Sequence, residues 1–129
     1  MKVAIITGGS RGIGKSIALS TAKRGTGVIL SYNSHPEEGE AVVGELNTRG
    51  AKAVALKLDS SETASFAEFV GRVAQVLKAE WNRDDFDYLV NNAGIAQRSL
   101  IKDTTEQIFD QLVNVNFKGP FFLTQTLLL

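Results

Sequence analysis

Four consecutive apolar residues, Val3 to Ile6, run straight into Thr7-Gly8-Gly9-Ser10-Arg11-Gly12-Ile13-Gly14. An apolar run this short, ended by glycines, reads as a strand buried on both faces of a parallel sheet. The glycines then restrict what can follow. Gly8 permits a sharp turn after the strand, and Gly12 carries no side chain that would hold an anion away. Gly14 lets a following helix pack close to the strand. The unpaired N–H groups and positive end of that helix would face an anion.

Downstream, strand and helix signals alternate. Ile13, Ile17, Ala18 and Ala22 recur at helical spacing, and Gly25 and Gly27 are expected to stop that helix. Residues 28–32 form a second β-rich run. Ser34-His35-Pro36-Glu37-Glu38 has a polar cap, a first-turn proline and two acids near the positive helix end. The helix it opens carries Val42, Val43 and Leu46 and ends at Gly50. A third strand is expected over 53–58, then a turn at Asp59-Ser60-Ser61. Phe66, Phe69, Val70, Val73, Val76 and Leu77 form an apolar stripe at 3.6 spacing. A fourth strand is expected over 86–90, ending at Asn91-Asn92-Ala93-Gly94. A helical region runs from about Thr105 onward, broken near 114–116.

Four strands separated by three long helices imply parallel pairing through right-handed crossovers. The expected architecture is α/β, a Rossmann-type doubly wound sheet cut short at strand order 3-2-1-4. Residues 1–129 read as a single domain, ending inside the helix that follows strand four.

Composition agrees with this and narrows the partners. Apolar residues make up 43% and charged residues 22% of the 129. Fourteen basic residues balance fourteen acidic ones, so no basic surplus points to nucleic acid. There is no cysteine, which excludes disulfides and thiolate metal sites. The four-residue apolar run near the N-terminus is too short for a signal peptide or a membrane span, so a cytoplasmic setting without membrane contact is expected. No metal site is expected.

The glycine turn supports a second motif. Gly9-Ser10-Arg11-Gly12-Ile13-Gly14-Lys15-Ser16 matches G-x-x-x-x-G-K-S, the phosphate loop of nucleoside triphosphatases. In that reading Lys15 reaches the β- and γ-phosphates, Ser16 holds Mg²⁺ and Asp59 supplies the second metal contact. In the dinucleotide reading the helix begins near Gly12, and Lys15 is a solvated helix residue.

Four features in order favour the dinucleotide reading. Thr7-Gly8, three residues, then Gly12-Ile13-Gly14 resembles the cofactor fingerprint of the short-chain dehydrogenase/reductases. Asp59 resembles the family's adenine-contacting acid, with the Ser60 backbone beside it. Asn91-Asn92-Ala93-Gly94 resembles its N-N-A-G signature, and Asn116 in Val115-Asn116-Phe117-Lys118-Gly119 resembles its catalytic Asn. The Ser31–Glu38 stretch and the Asn116 segment look most like the 3-oxoacyl-carrier-protein reductase type.

The resemblance implies a dinucleotide held by Gly8, Ser10, Arg11, Gly12, Ile13, Gly14, Asn33, Asp59, Ser60, Asn91, Ala93 and Gly94. It implies catalysis through Asn116 and hydride exchange with a small carbonyl or alcohol. NAD-selective sites usually end the second strand with an acid. Here that stretch reads Leu30-Ser31-Tyr32-Asn33-Ser34, and Arg11 stands in the glycine turn, so NADP(H) is expected over NAD(H). Asp59 would also serve as a helix cap, and His35 as a helix-entrance residue.

The family further requires a Ser and a Tyr followed four residues later by Lys. The sequence contains no such pair: Tyr32 is followed at that spacing by Pro36, and Tyr88 by Asn92. Two expectations follow. The chain alone is a poor reductase at best, leaving a non-catalytic nucleotide-binding half-domain as the second reading. Its apolar last helix (Phe121, Phe122, Leu123, Leu127, Leu128, Leu129) and unpaired fourth strand should drive self-association.

Overall fold

A computed structural model describes residues 1–128. Its elements are β1 (Val3–Ile6), α1 (Gly12–Lys23), β2 (Gly27–Tyr32), α2 (Pro36–Thr48), β3 (Ala53–Lys57), α3 (Phe66–Trp81), β4 (Tyr88–Val90), α4 (Glu106–Val113) and α5 (Gly119–Leu128). Between α4 and α5 lies one π-helical turn, Asn114–Lys118. The sheet order is β3-β2-β1-β4, with every neighbouring pair parallel. This is the expected Rossmann-like arrangement.

Each strand distributes its side chains between two cores because successive residues point to opposite faces. Val3, Ile5 and Ile29 meet Phe66, Phe69, Val73 and Leu77 of α3 and Leu123 of α5. Ala4, Ile6, Val28 and Leu30 meet Ala18 and Ala22 of α1 and Val42 and Leu46 of α2. Both faces are covered by helices, which is why β1 and β2 can be apolar at nearly every position. Nothing in this fold is a helix long and apolar enough to cross a membrane, among the described residues.

Several element ends differ from expectation. Gly27 does not stop α1; it opens β2, and a Cβ there would meet the Trp81 indole at 2.5–2.7 Å. The residue that ends α1 is Gly25, at φ +83°. Ser34 does not cap α2; His35 occupies that position and makes no side-chain cap bond. Asp59 does not cap α3, because its Oδ1 accepts from the Ser61 N–H and hydroxyl at 2.9 and 2.6 Å. The third strand ends one residue early, with Leu58 still buried. Leu129, assigned to the last helix, lies outside the described residues.

The fourth strand begins at Tyr88 rather than residue 86. Asp87 explains this: its carboxylate accepts from the Val3 N–H at 2.8 Å while its own N–H donates to the Val3 carbonyl. Arg83 bridges this corner, donating to Asp87, Asp85 and the Met1 carbonyl. The Arg83 hydrogen bond first, and the Val3 N–H next, hold the Asp87 carboxyl down at about 2. A depressed folded-state value gives stability that is present above the ordinary aspartate value of about 4 and fades as pH falls toward 2. Asp87→Asn should therefore lower the melting temperature at pH 5–7, and the gap from the parent chain should close near pH 2. Thermal unfolding followed by circular dichroism across that range reads this directly. A gap independent of pH would contradict the assignment.

Candidate functional site

The carboxyl ends of the strands open onto a cleft of about 540 Å³. In open α/β sheets this is where the strand order reverses and ligands bind. One wall is the β1–α1 turn. Gly8 and Gly12 adopt φ of +64° and +58°, a region costly for residues with a Cβ. The first α1 backbone bond outside the helix runs from Lys15 N–H to the Arg11 carbonyl. Among the described residues, the N–H groups of Gly12, Ile13 and Gly14 meet no protein acceptor, and α1 has no side-chain cap. They form an open donor cradle at a positive helix end.

The turn is fixed from both sides. On the β2 side, buried Ser31 accepts the Gly8 N–H on its Oγ at 2.9 Å and the Gly9 N–H on its carbonyl at 3.1 Å. On the β4 side, Thr7 Oγ1 accepts from the N–H groups of Asn92 and Ala93, each at 3.0 Å. The Asn92 amide returns two bonds, to the carbonyls of Thr7 and Gly8 at 3.2 and 3.1 Å. The glycine turn and the segment after β4 are therefore one hydrogen-bonded unit.

At the other end of the cleft, Asp59 and Ser60 follow β3. Bonds to Ser61 occupy one Asp59 oxygen and leave Oδ2 available to a donor in the cleft. Asn33, Ser34 and His35 lead from β2 into α2 along the same wall.

Of the residues expected to hold a dinucleotide, Gly8, Ser10, Arg11, Gly12, Asn33, Asp59, Ser60, Ala93 and Gly94 line this cleft. Three do not. The Ile13 side chain is exposed and lines a second cleft, between α1 and β4. Gly14 is buried against the Gly8 carbonyl, so it packs α1 onto the turn while its N–H stays unpaired. Asn91 turns away and donates to Thr124 Oγ1 at 3.1 Å. Asn92, its neighbour, is the asparagine that faces the turn.

Asn116 lies in the π-helical turn and holds the backbone of Ile95 twice. Its Oδ1 accepts from the Ile95 N–H at 2.9 Å and its Nδ2 donates to the Ile95 carbonyl at 2.7 Å. With both ends of the amide engaged, Asn116 ties the π-turn to the loop after β4. The expected helix break is thus a π-turn, a feature frequent at functional sites.

The phosphate-loop reading of Gly9–Ser16 is overturned. Lys15 projects from α1 toward α2 and lies 3.7 Å from Glu45. Ser16 lines the α1–β4 cleft, away from Asp59. Neither residue lines the cleft at the glycine turn.

A protein-family model described as short chain dehydrogenase matches residues 2–129. The chain is 37% identical over 127 residues to a short-chain dehydrogenase/reductase of Cladobotryum sp, covering 98% of this chain and 47% of that protein. It is equally similar, at 37%, to a tetrahydroxynaphthalene reductase of Pestalotiopsis fici, covering 98% of this chain and 44% of that protein. Among solved structures, the angucycline C-6 ketoreductase LanV with bound NADP superposes with a TM-score of 0.94 at 31% identity, over 98% of this chain and 49% of that one. A Burkholderia cenocepacia short chain dehydrogenase in complex with NADP superposes with a TM-score of 0.88 at 35% identity, over the same shares. The chain thus spans about half the length of the relatives it matches.

Proposed function

Because the chain belongs to the short-chain dehydrogenase family, we propose that it forms the NADP(H)-holding part of an oxidoreductase that interconverts a carbonyl and an alcohol. The observation that carries this reading is the donor cradle at Gly12–Gly14, opposite a free Asp59 oxygen at the far end of one cleft. The chemistry of the two ends fits a dinucleotide, with its diphosphate at the helix start and its adenine at Asp59. The bound nicotinamide would supply the hydride.

The residues of this chain bind and orient. Gly8 and Gly12 let the backbone approach the diphosphate. Asn92 and Thr7 hold the turn, and Asn116 holds the loop after β4. The preference for NADP(H) over NAD(H) rests on Arg11 in the cleft and is supported by the NADP in two similar structures. On substrate, the relatives' names point to hydroxynaphthalene reduction and lend nothing to the 3-oxoacyl-carrier-protein type. The substrate class is therefore a small carbonyl or alcohol.

A second reading has its own observation. The sequence holds no Tyr-x-x-x-Lys, and positioned acid–base groups are each worth about 10²–10⁴-fold in rate. These 129 residues would then bind without turnover. Titration of the chain with NADPH, with a ketone reductase assay in parallel, tests both readings. Saturable binding without ketone reduction is expected. Absence of NADPH binding would overturn the first reading, and reduction by the chain alone would overturn the second.

Homo-oligomerisation belongs to the same proposal. Phe109, Val113, Phe117 and Phe121 recur every four residues along α4, the π-turn and α5, and all are exposed. Such a stripe is rare on a free surface. Sedimentation at micromolar concentration should show a species larger than the monomer; a clean monomer would refute this.

A further inference from the structure

Glu38 enters the cleft although the end of β2 carries no acid. It sits in the first turn of α2, is half-buried, and lines the same cleft as Arg11, Asn33 and His35. Among the described residues it makes no ion pair, whereas its neighbour Glu37 lies 3.4 Å from His35 Nδ1. Arg11 likewise has no acidic partner among the described residues. Its side chain and that of Glu38 are thus an opposed charge pair facing one ligand space, each left to act on what enters.

Resting on the NADP(H) reading above, we propose that Glu38 is a specificity-determining residue that limits discrimination between the two dinucleotides. A ribose 2′-hydroxyl can donate to a carboxylate, so Glu38 favours NAD(H). A 2′-phosphate brings negative charge to the same place, so Glu38 opposes NADP(H) while Arg11 attracts it. The preference is a balance between these two residues rather than a property of Arg11 alone. Gly39, which follows, is buried against the Tyr32 ring, where a Cβ would come within 2.7 Å. That contact fixes the start of α2 and so the place of Glu38.

The test compares NADPH and NADH dissociation constants for the parent chain, Glu38→Gln and Arg11→Ala. Glutamine keeps the shape and removes the charge. In Glu38→Gln, NADPH should bind about 3- to 10-fold tighter, as expected for one partly screened charge, and NADH no tighter. In Arg11→Ala the ratio should move the other way. Equal shifts for both nucleotides, or none in Glu38→Gln, would overturn the role of Glu38 while leaving the NADP(H) site in place. A parent chain that binds neither nucleotide would overturn both readings together.

Discussion

Replacing Gly14 with alanine is expected to destabilise the chain by about 3 kcal/mol or more and to abolish dinucleotide binding. A Cβ at this position would lie inside van der Waals contact of the Gly8 carbonyl and of the Asn92 amide nitrogen. The first of these is backbone, within a turn already pinned by Ser31 and Asn92, so it has nowhere to move. Overpacking against side chains costs about 1–3 kcal/mol, and a backbone obstacle belongs at the upper end or beyond. Relief would come only by lifting α1 away from the sheet, which carries the Gly12–Gly14 N–H groups out of the cleft. Thermal unfolding and NADPH titration of Gly14→Ala should both show the loss. A variant within 1 kcal/mol of the parent that binds normally would mean that helix and turn are not packed as described.

The second large effect is expected from Thr7→Val. Valine has nearly the shape of threonine, so packing is kept while the hydroxyl is lost. Thr7 is 2% exposed, and its oxygen is the acceptor for two backbone N–H groups, those of Asn92 and Ala93. The Asn92 N–H also reaches the Val90 carbonyl at 3.1 Å, so the Ala93 N–H is the donor left without an acceptor, at a cost of about 1–3 kcal/mol. The segment after β4 would loosen from the glycine turn, and NADPH affinity should fall about tenfold, the equivalent of 1.4 kcal/mol. Thr7→Ser restores the oxygen and should restore both properties. If valine and serine behave alike, the hydroxyl does not join turn and strand.

These two positions also show what the sequence disclosed. The strand order, the bounds of β1 and the start of α1 followed from apolar runs and glycines, because burial on both faces of a parallel sheet demands an uninterrupted apolar strand. The glycine turn was legible for the same kind of reason, since positive φ at Gly8 and Gly12 selects that residue type.

What escaped was direction. Asn91 and Asn92 are adjacent in an extended segment, where side chains alternate in facing. The string Asn-Asn does not say which of them meets the turn; the structure places the Asn92 amide there and the Asn91 amide on Thr124. Ser31 carried a readable signal, a hydroxyl in a buried strand that needs a partner, and that partner is the Gly8 N–H. Glu38 could not be read from the end of β2. It reaches the cleft from the next helix, whose position is set by the packing of Gly39 on Tyr32 and of Val42 and Leu46 in the core. The Lys15-Ser16 pair misled in the other direction, because a string match carries no information about which side of the helix each residue occupies.

A dinucleotide diphosphate is expected to lie on the N–H groups at the start of α1. Backbone amide NMR of the ¹⁵N-labelled chain during titration with NADPH tests it most directly. The largest shifts should fall on residues 8–14, with a second group at 59–61. Shifts confined to the α1–β4 cleft, or a spectrum unchanged at saturating NADPH, would contradict it.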